Sequence, residues 1–220
     1  MFIEIKNLLS EAEVAHLTAL AGVIAFEDGR ATNSGFEQKH NLQVNPNDKA
    51  FAESANVVSS AFARSRTFQD FAFPRRLAPP RLARYEPGMR YGAHADAAYM
   101  AIPGGALRAD VSCTVFLSDP RTYEGGELVL HLGVRALALK VEAGGAILYP
   151  STTLHEVAPV RSGVRLVSLT FIESLIPDEQ ERAMLFELGE ISALEGAAMS
   201  DLGRMRLEVV RQNLTRKWSR

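Results

Sequence analysis

Between Leu82 and Ile172 the chain alternates short apolar runs with turn-forming residues, and this texture sharply limits the folds open to it. The runs are Leu82–Tyr85, Val111–Leu117, Glu127–His131, Ala136–Val141, Ala146–Tyr149, His155–Val157 and Val164–Ile172. Each is of strand length and is bounded by Gly, Pro or Asp. Glu124-Gly125-Gly126, Ala143-Gly144-Gly145 and Ser162-Gly163 offer the positive-φ positions that tight turns use. No helix-length pattern separates the runs, which argues against a parallel sheet and for an antiparallel sandwich or barrel.

Helical patterns flank this block. Phe2–Ile5 alternates weakly and is expected to be a short strand. Ser10 reads as an N-cap, with Glu11 and Glu13 in the first turn, Val14, Leu17 and Leu20 at helical spacing and Gly22 as a stop. Asp48 caps an expected second helix through about Arg64, with Phe51, Ala55, Val58 and Phe62 on one face. The polar stretch Gly29–Asn47 is expected to be loop or irregular strand, and proline-rich Phe71–Pro80 a connection. From Pro177 the pattern is helical to the end. Met184, Leu185, Leu188 and Ile191 form one stripe, and Ser200-Asp201 caps a last helix carrying Leu202, Met205, Val209 and Leu214. The expected division is 1–176, a sheet domain with N-terminal helices, and 177–220, a helical extension. That extension would pack on the sheet or on a second subunit, which makes a homo-oligomer through these helices a candidate assembly.

Net charge is −2, so nothing pulls the chain as a whole towards nucleic acid or an anionic membrane. The lone Cys113 sits in the apolar run V-S-C-T-V-F-L and reads as a small buried hydrophobe in a reducing compartment. Glu4 and Lys6 break the opening segment where a secretion signal is apolar, and no stretch reaches the roughly 18 apolar residues of a membrane span. The expected location is the cytoplasm.

The chemistry concentrates in Y-E-P-G-M-R-Y-G-A-H-A-D, Tyr85–Asp96. In an extended segment, residues i and i+2 point to one side, so His94 and Asp96 can face one metal ion. Of the five histidines only His94 has a carboxylate at i+2; His16 lies in a helix, His40 in a polar loop, and His131 ends a strand. His155, where a strand re-enters after Y-P-S-T-T-L, is the candidate third ligand. Two imidazoles and one carboxylate with open positions are the ligand set of non-haem Fe(II) oxygenases. Arg165 lies ten residues after His155, across the Gly163 turn, and two strands joined there would bring it beside the metal. A guanidinium binds a carboxylate through two parallel hydrogen bonds, as the far end of 2-oxoglutarate requires.

These residues resemble a known family. Y-x-P-G-x-x-Y-x-x-H-x-D, V-S-C-T-V-F-L-S-D-P, Y-E-G-G-E-L, L-Y-P-S-T-T-L-H-E-V-A-P-V and G-V-R are similar to motifs of the bacterial PKHD-type hydroxylases, members of the prolyl/lysyl-hydroxylase-like Fe(II)/2-oxoglutarate dioxygenases. The likeness extends to Gly29–Thr32, Lys39–Asn41, Phe171–Ser174 and D-E-Q-E-R-A-M-L-F-E-L. It implies a mainly β fold, a double-stranded β-helix or jelly roll with flanking helices. It implies Fe(II) held by His94, Asp96 and His155, and 2-oxoglutarate held by Arg165, with Tyr85 and Tyr91 lining the pocket. It further implies O2 as co-reactant, L-ascorbate dependence, and hydroxylation of a peptide or small-molecule substrate with release of succinate and CO2. Two positions depart from relatives: Ala97 stands where Asn is frequent, and Val115 and Phe116 occupy the strand from which animal prolyl hydroxylases offer a tyrosine hydroxyl.

Three further expectations follow from placement. The loop Ala97–Asp110, with Pro103-Gly104-Gly105, directly follows two ligands and reads as a mobile lid. Arg75, Arg76, Arg81, Arg84 and Arg90 cluster near the first metal-binding strand, as a solvated edge or as attraction for an acidic substrate. The rival functions are a nucleic-acid demethylase of similar metal chemistry, and a non-catalytic jelly roll that senses iron or 2-oxoglutarate or holds zinc. The charge balance, which lacks a basic stripe, counts against the demethylase.

Overall fold

The computed structural model describes residues 1–32 and 38–220. In chain order it runs β1 (Ile3–Ile5), α1 (Glu11–Val23), β2 (Phe26–Asp28), a 3-10 turn (Gly29–Thr32), β3 (Lys39–His40), β4 (Leu42–Val44), α2 (Lys49–Arg64), α3 (Arg66–Ala72) and β5 (Pro74–Leu77). The sheet block follows: β6 (Arg81–Tyr85), β7 (Arg90–His94), β8 (Tyr99–Ile102), β9 (Gly105–Arg108), β10 (Val111–Phe116), β11 (Glu124–Gly125), β12 (Leu128–Leu132), β13 (Arg135–Leu139), β14 (Ala146–Pro150), β15 (His155–Val157), β16 (Val160–Ser162) and β17 (Arg165–Ser174). Helices α4 (Glu179–Glu195) and α5 (Asp201–Trp218) close the chain.

Two antiparallel sheets face each other as a double-stranded β-helix. The larger has the order β1-β14-β10-β17-β6-β4-β2, with β5 also on β17; the smaller is β13-β12-β15-β7-β3. Period-two alternation sorts the larger sheet's side chains into two cores. Leu82, Val111, Cys113, Val115, Ala146, Leu148, Leu166 and Ile172 face the helices, meeting Leu17, Val58, Phe62 and Phe68. Ala83, Tyr85, Phe116, Ile147, Tyr149 and Val167 face the smaller sheet, meeting Leu128, Leu130 and Val157. Burying roughly 12 large apolar side chains at ~1.5–3 kcal/mol each makes this two-sided sheet the main stabilising unit. Arg165 shares its strand parity with Val167 and so points into the space between the sheets.

The helix starts follow from their caps. Ser10 and Glu13 complete a capping box on α1, Asp48 caps α2, and Asp178 accepts from Gln180 and Glu181 on α4. Phe71–Pro80 is not a plain connection. Ser65 caps a further helix, α3, which buries Phe68 and Phe71, and Pro74 opens β5 at a position where no ladder donor is needed. Gly29–Asn47 holds the short strands β3 and β4; its residues 33–37 lie outside the described residues. His40, expected in a loop, is in β3. The segment after the metal-binding motif is a β-hairpin, β8–β9, rather than an open loop. Buried Leu107 pins it, as do the Arg76 bond to the Ala106 carbonyl and the Arg108 pairing with Asp110.

The C-terminal hairpin meets the body mainly through α3, where the Phe71 and Phe186 rings pack edge to face at 5.4 Å. Only Leu185 of the expected α4 stripe is fully buried; Met184 and Ile191 are exposed, and α5 has no buried residue. Docking on a narrow helix covers less of the stripe than a sheet face would.

Candidate metal centre

The antiparallel pairing of β7 with β15 places His94 directly opposite His155. Their rings lie 4.3 Å apart by centroid. Strand β7 stops at His94, and Asp96 follows beyond it with its amide donating to the Ser151 carbonyl at 3.2 Å. The i and i+2 side chains still converge, held by this anchor rather than by a continuing strand. Asp96 Oδ1 is 3.8 Å from His94 Nε2, and Asp96 Oδ2 is 3.7 Å from His155 Nε2. Among the described residues, these three form the one group of His, Cys, Asp or Glu side chains whose ligand atoms all lie within 4.8 Å of one another.

Outer contacts set the protonation of this trio. His94 Nδ1 donates to the Gly92 carbonyl at 2.8 Å, and His155 Nδ1 donates to the Thr153 carbonyl at 2.9 Å. A carbonyl only accepts, so each Nδ1 carries the proton and each Nε2 offers a lone pair to the common centre. Burial, then the neighbouring His155, holds His94 below the ordinary imidazole range, which keeps it neutral. The carboxylate is fixed by a chain of hydroxyls. Ser112 donates to Asp96 Oδ2 at 2.5 Å and shares a 2.7 Å bond with Ser151. Removing the donor in Ser112→Ala should weaken Fe(II) binding about 10–100-fold, read by competition with a chelator, because the carboxylate loses its orientation.

Aromatic rings wall the centre. Tyr91 stacks on His94 at 3.7 Å and Tyr149 meets His155 edge-on at 4.9 Å. Lys39, only 4% exposed, places Nζ 5.2 Å from the Tyr91 ring, and burial brings its pKa down to about 8. Tyr85 faces inward from β6, its hydroxyl accepting from Asn41 at 3.1 Å.

Arg165 lies across the barrel, with 1% exposure. Its route differs from the simple hairpin expected. Strand β15 is in the smaller sheet and β17 in the larger, and β16, between them, pairs with β11. Sequence spacing does not reveal which sheet a strand joins, so the right proximity arises from facing sheets rather than neighbouring strands. The guanidinium lies 4.9 Å from the Tyr85 ring and 5.4 Å from that of Phe116. Among the described residues, none of its three nitrogens meets an acceptor at hydrogen-bonding geometry. Glu173, the acid of the same strand, pairs instead with Arg76 at 3.3 Å.

The donor set fits a divalent iron: two neutral imidazole nitrogens and one carboxylate oxygen from one side, with no fourth acidic or sulfur ligand among the described residues. The orphaned guanidinium fits the distal end of a dicarboxylate, since a buried cation without an acceptor is costly unless a ligand supplies one. The remaining histidines serve elsewhere. His16 pairs with Glu53 at 2.9 Å, and His131 Nε2 is 3.5 Å from Glu156. The arginine cluster is largely used in packing: Arg75 and Arg76 bond the Arg220 and Ala106 carbonyls, and Arg84 bonds the Ala21 carbonyl and covers the Phe26 ring. Arg90 is exposed.

Sequence reading passed over Ser112, Ser151, Tyr123 and Tyr149. For Ser112 a signal existed: two polar residues, Ser112 and Thr114, recur at period two inside an otherwise apolar strand.

Comparison with known proteins identifies the family and the fold. The family model described as 2OG-Fe(II) oxygenase superfamily matches residues 80–173, a span that contains His94, Asp96, His155 and Arg165. A PKHD-type hydroxylase of Sphingopyxis alaskensis is 47% identical over 217 residues, covering 99% of each chain. Among solved structures, the fold resembles a prolyl hydroxylase of Trichoplax adhaerens in complex with a hypoxia inducible factor peptide. The TM-score is 0.60 at 16% identity, over 83% of this chain and 86% of that one. A Pseudomonas putida prolyl-4-hydroxylase gives a TM-score of 0.57 at 18% identity, over 78% and 92%.

Proposed function

The chain belongs to the PKHD-type hydroxylases of the 2OG-Fe(II) oxygenase superfamily, and from that premise we propose which of its residues carry the reaction. It is a dioxygenase that uses Fe(II) and 2-oxoglutarate to hydroxylate a substrate with O2, releasing succinate and CO2. The bound metal and cosubstrate would supply the oxidising chemistry; the protein supplies position and charge.

His94, Asp96 and His155 hold the iron through two Nε2 atoms and a carboxylate. Arg165 receives the distal carboxylate of 2-oxoglutarate. Tyr85 and Phe116 flank the cosubstrate, and Tyr91 presses on the His94 ring. Leu130, Ile147 and Val167 are fully buried in the same core as Tyr85 and Phe116. The observation carrying this reading is the Arg165 guanidinium, buried between the sheets without a protein acceptor. The substrate is a peptide side chain, an amino acid or a small metabolite. A screen for substrate-dependent succinate release tests this reading; the reading predicts release that requires both Fe(II) and Arg165, and release by the metal-free protein would oppose it.

The same reading includes L-ascorbate dependence, since turnover without substrate oxidises the iron, and a cytoplasmic location, for which the buried free thiol of Cys113 is support. No helix among the described residues is long and apolar enough to cross a membrane. Exposed Leu202, Met205, Val209 and Val210 on α5 support self-association through the C-terminal helices, and sedimentation would read the oligomeric state.

A further inference from the structure

A second buried polar group lies close to Arg165. Tyr123 precedes the Glu124-Gly125-Gly126 turn, is 3% exposed, and its hydroxyl meets no acceptor or donor at hydrogen-bonding geometry among the described residues. Its placement is built rather than incidental. Lys140 Nζ lies 3.8 Å from the ring centroid and donates to the Tyr123 carbonyl at 2.6 Å. Two glycines let the chain close on it. A Cβ at Gly163 would come within 2.8 Å of Tyr123 Cα, and one at Gly126 within 3.3 Å of Tyr123 Cε2 and 3.0 Å of Arg165 Cδ. Gly126 therefore touches Arg165 and Tyr123 together, and any side chain there would wedge between them.

Burial raises the Tyr123 pKa, and the charge of Arg165 and its close approach to the Tyr123 hydroxyl oppose the rise, so the two groups sense each other and the hydroxyl keeps its proton at neutral pH. Of the two rings stacked near Arg165, Phe116 has no hydroxyl and the Tyr85 hydroxyl already accepts from Asn41. A guanidinium and a phenol, both donors and both without an acceptor, call for an anion with more than one oxygen. We propose that Tyr123 is a cosubstrate-positioning residue, donating to one oxygen of the distal carboxylate of 2-oxoglutarate while Arg165 pairs with the same group. The inference rests on the reading of Arg165 given above, and makes the selection of a diacid the joint work of two side chains on opposite sides of the Gly126 turn.

The test uses full-length protein loaded with Fe(II) without O2, titrated with 2-oxoglutarate and with 2-oxopentanoate, which keeps the keto acid and lacks the distal carboxylate. Binding is followed by the weak visible metal-to-ligand band and by calorimetry. Wild type should prefer 2-oxoglutarate. Tyr123→Phe, which keeps the ring, should bind 2-oxoglutarate about tenfold more weakly and 2-oxopentanoate unchanged. Its thermal midpoint without cosubstrate should not fall, because the lost hydroxyl had no partner. Unchanged 2-oxoglutarate affinity, or equal weakening for both acids, overturns the role of Tyr123. A wild type that binds both acids equally overturns the reading of Arg165 beneath it, and this inference with it.

Discussion

Asp96→Ala is expected to abolish 2-oxoglutarate turnover, by about a thousandfold or more, while leaving the fold intact. Asp96 is the one anion of the trio and stands between the two imidazoles, 3.8 Å from one and 3.7 Å from the other. Without it, two neutral nitrogens face the cation and no protein charge offsets it. The carboxylate is also the end point of the Ser151–Ser112 hydroxyl chain, so its loss strands the Ser112 donor. Succinate formation and Fe(II) affinity should fall together. Asp96→Asn, close to the native side chain in size, should likewise fold without restoring turnover. Turnover near the wild-type rate in either variant would remove Asp96 from the metal site.

Arg165→Met should have opposite effects on stability and on cosubstrate binding. The cosubstrate-free protein buries a guanidinium with no acceptor, a cost only partly offset by the faces of Tyr85 and Phe116. Methionine fills similar space without the charge, so the cosubstrate-free variant should gain about 1–2 kcal/mol, a rise of several degrees in Tm. Its affinity for 2-oxoglutarate should fall about 100-fold or more, because the distal carboxylate would enter a cavity with no cation. Calorimetric unfolding and a 2-oxoglutarate titration read the two effects separately. A variant that loses stability and keeps its 2-oxoglutarate affinity would make Arg165 a structural residue.

The parts legible in the sequence share a physical basis. The strand block could be read because a strand buried on both faces appears as a short apolar run bounded by turn residues, and Val111–Phe116 is buried at every position. The helix starts could be read because Ser10, Asp48 and Asp178 each accept backbone donors that would otherwise be left open. The His94, Asp96 and His155 trio was visible from spacing and order, since one short motif supplies two of its members.

What escaped reading depends on contacts between segments far apart. Whether β16 pairs with β15, β17 or β11 is settled by packing of the Gly163 turn on Tyr123, which no local pattern records. Strand β5 exists because β17 is long enough to pair beyond β6. The hairpin β8–β9 is held by Arg76, whose charge read as part of a solvated edge, and by Arg108. Tyr123 could not be distinguished from an ordinary turn aromatic until its hydroxyl was found buried without a partner.

The most direct test of the metal centre is an anomalous-scattering map from crystals grown without O2 in the presence of Fe(II) and 2-oxoglutarate. The arrangement described here predicts one iron peak per chain, at coordination distance from His94 Nε2, His155 Nε2 and an Asp96 oxygen, with the distal carboxylate of the cosubstrate against Arg165. An iron peak bound by other side chains, or 2-oxoglutarate lying away from Arg165, would contradict it.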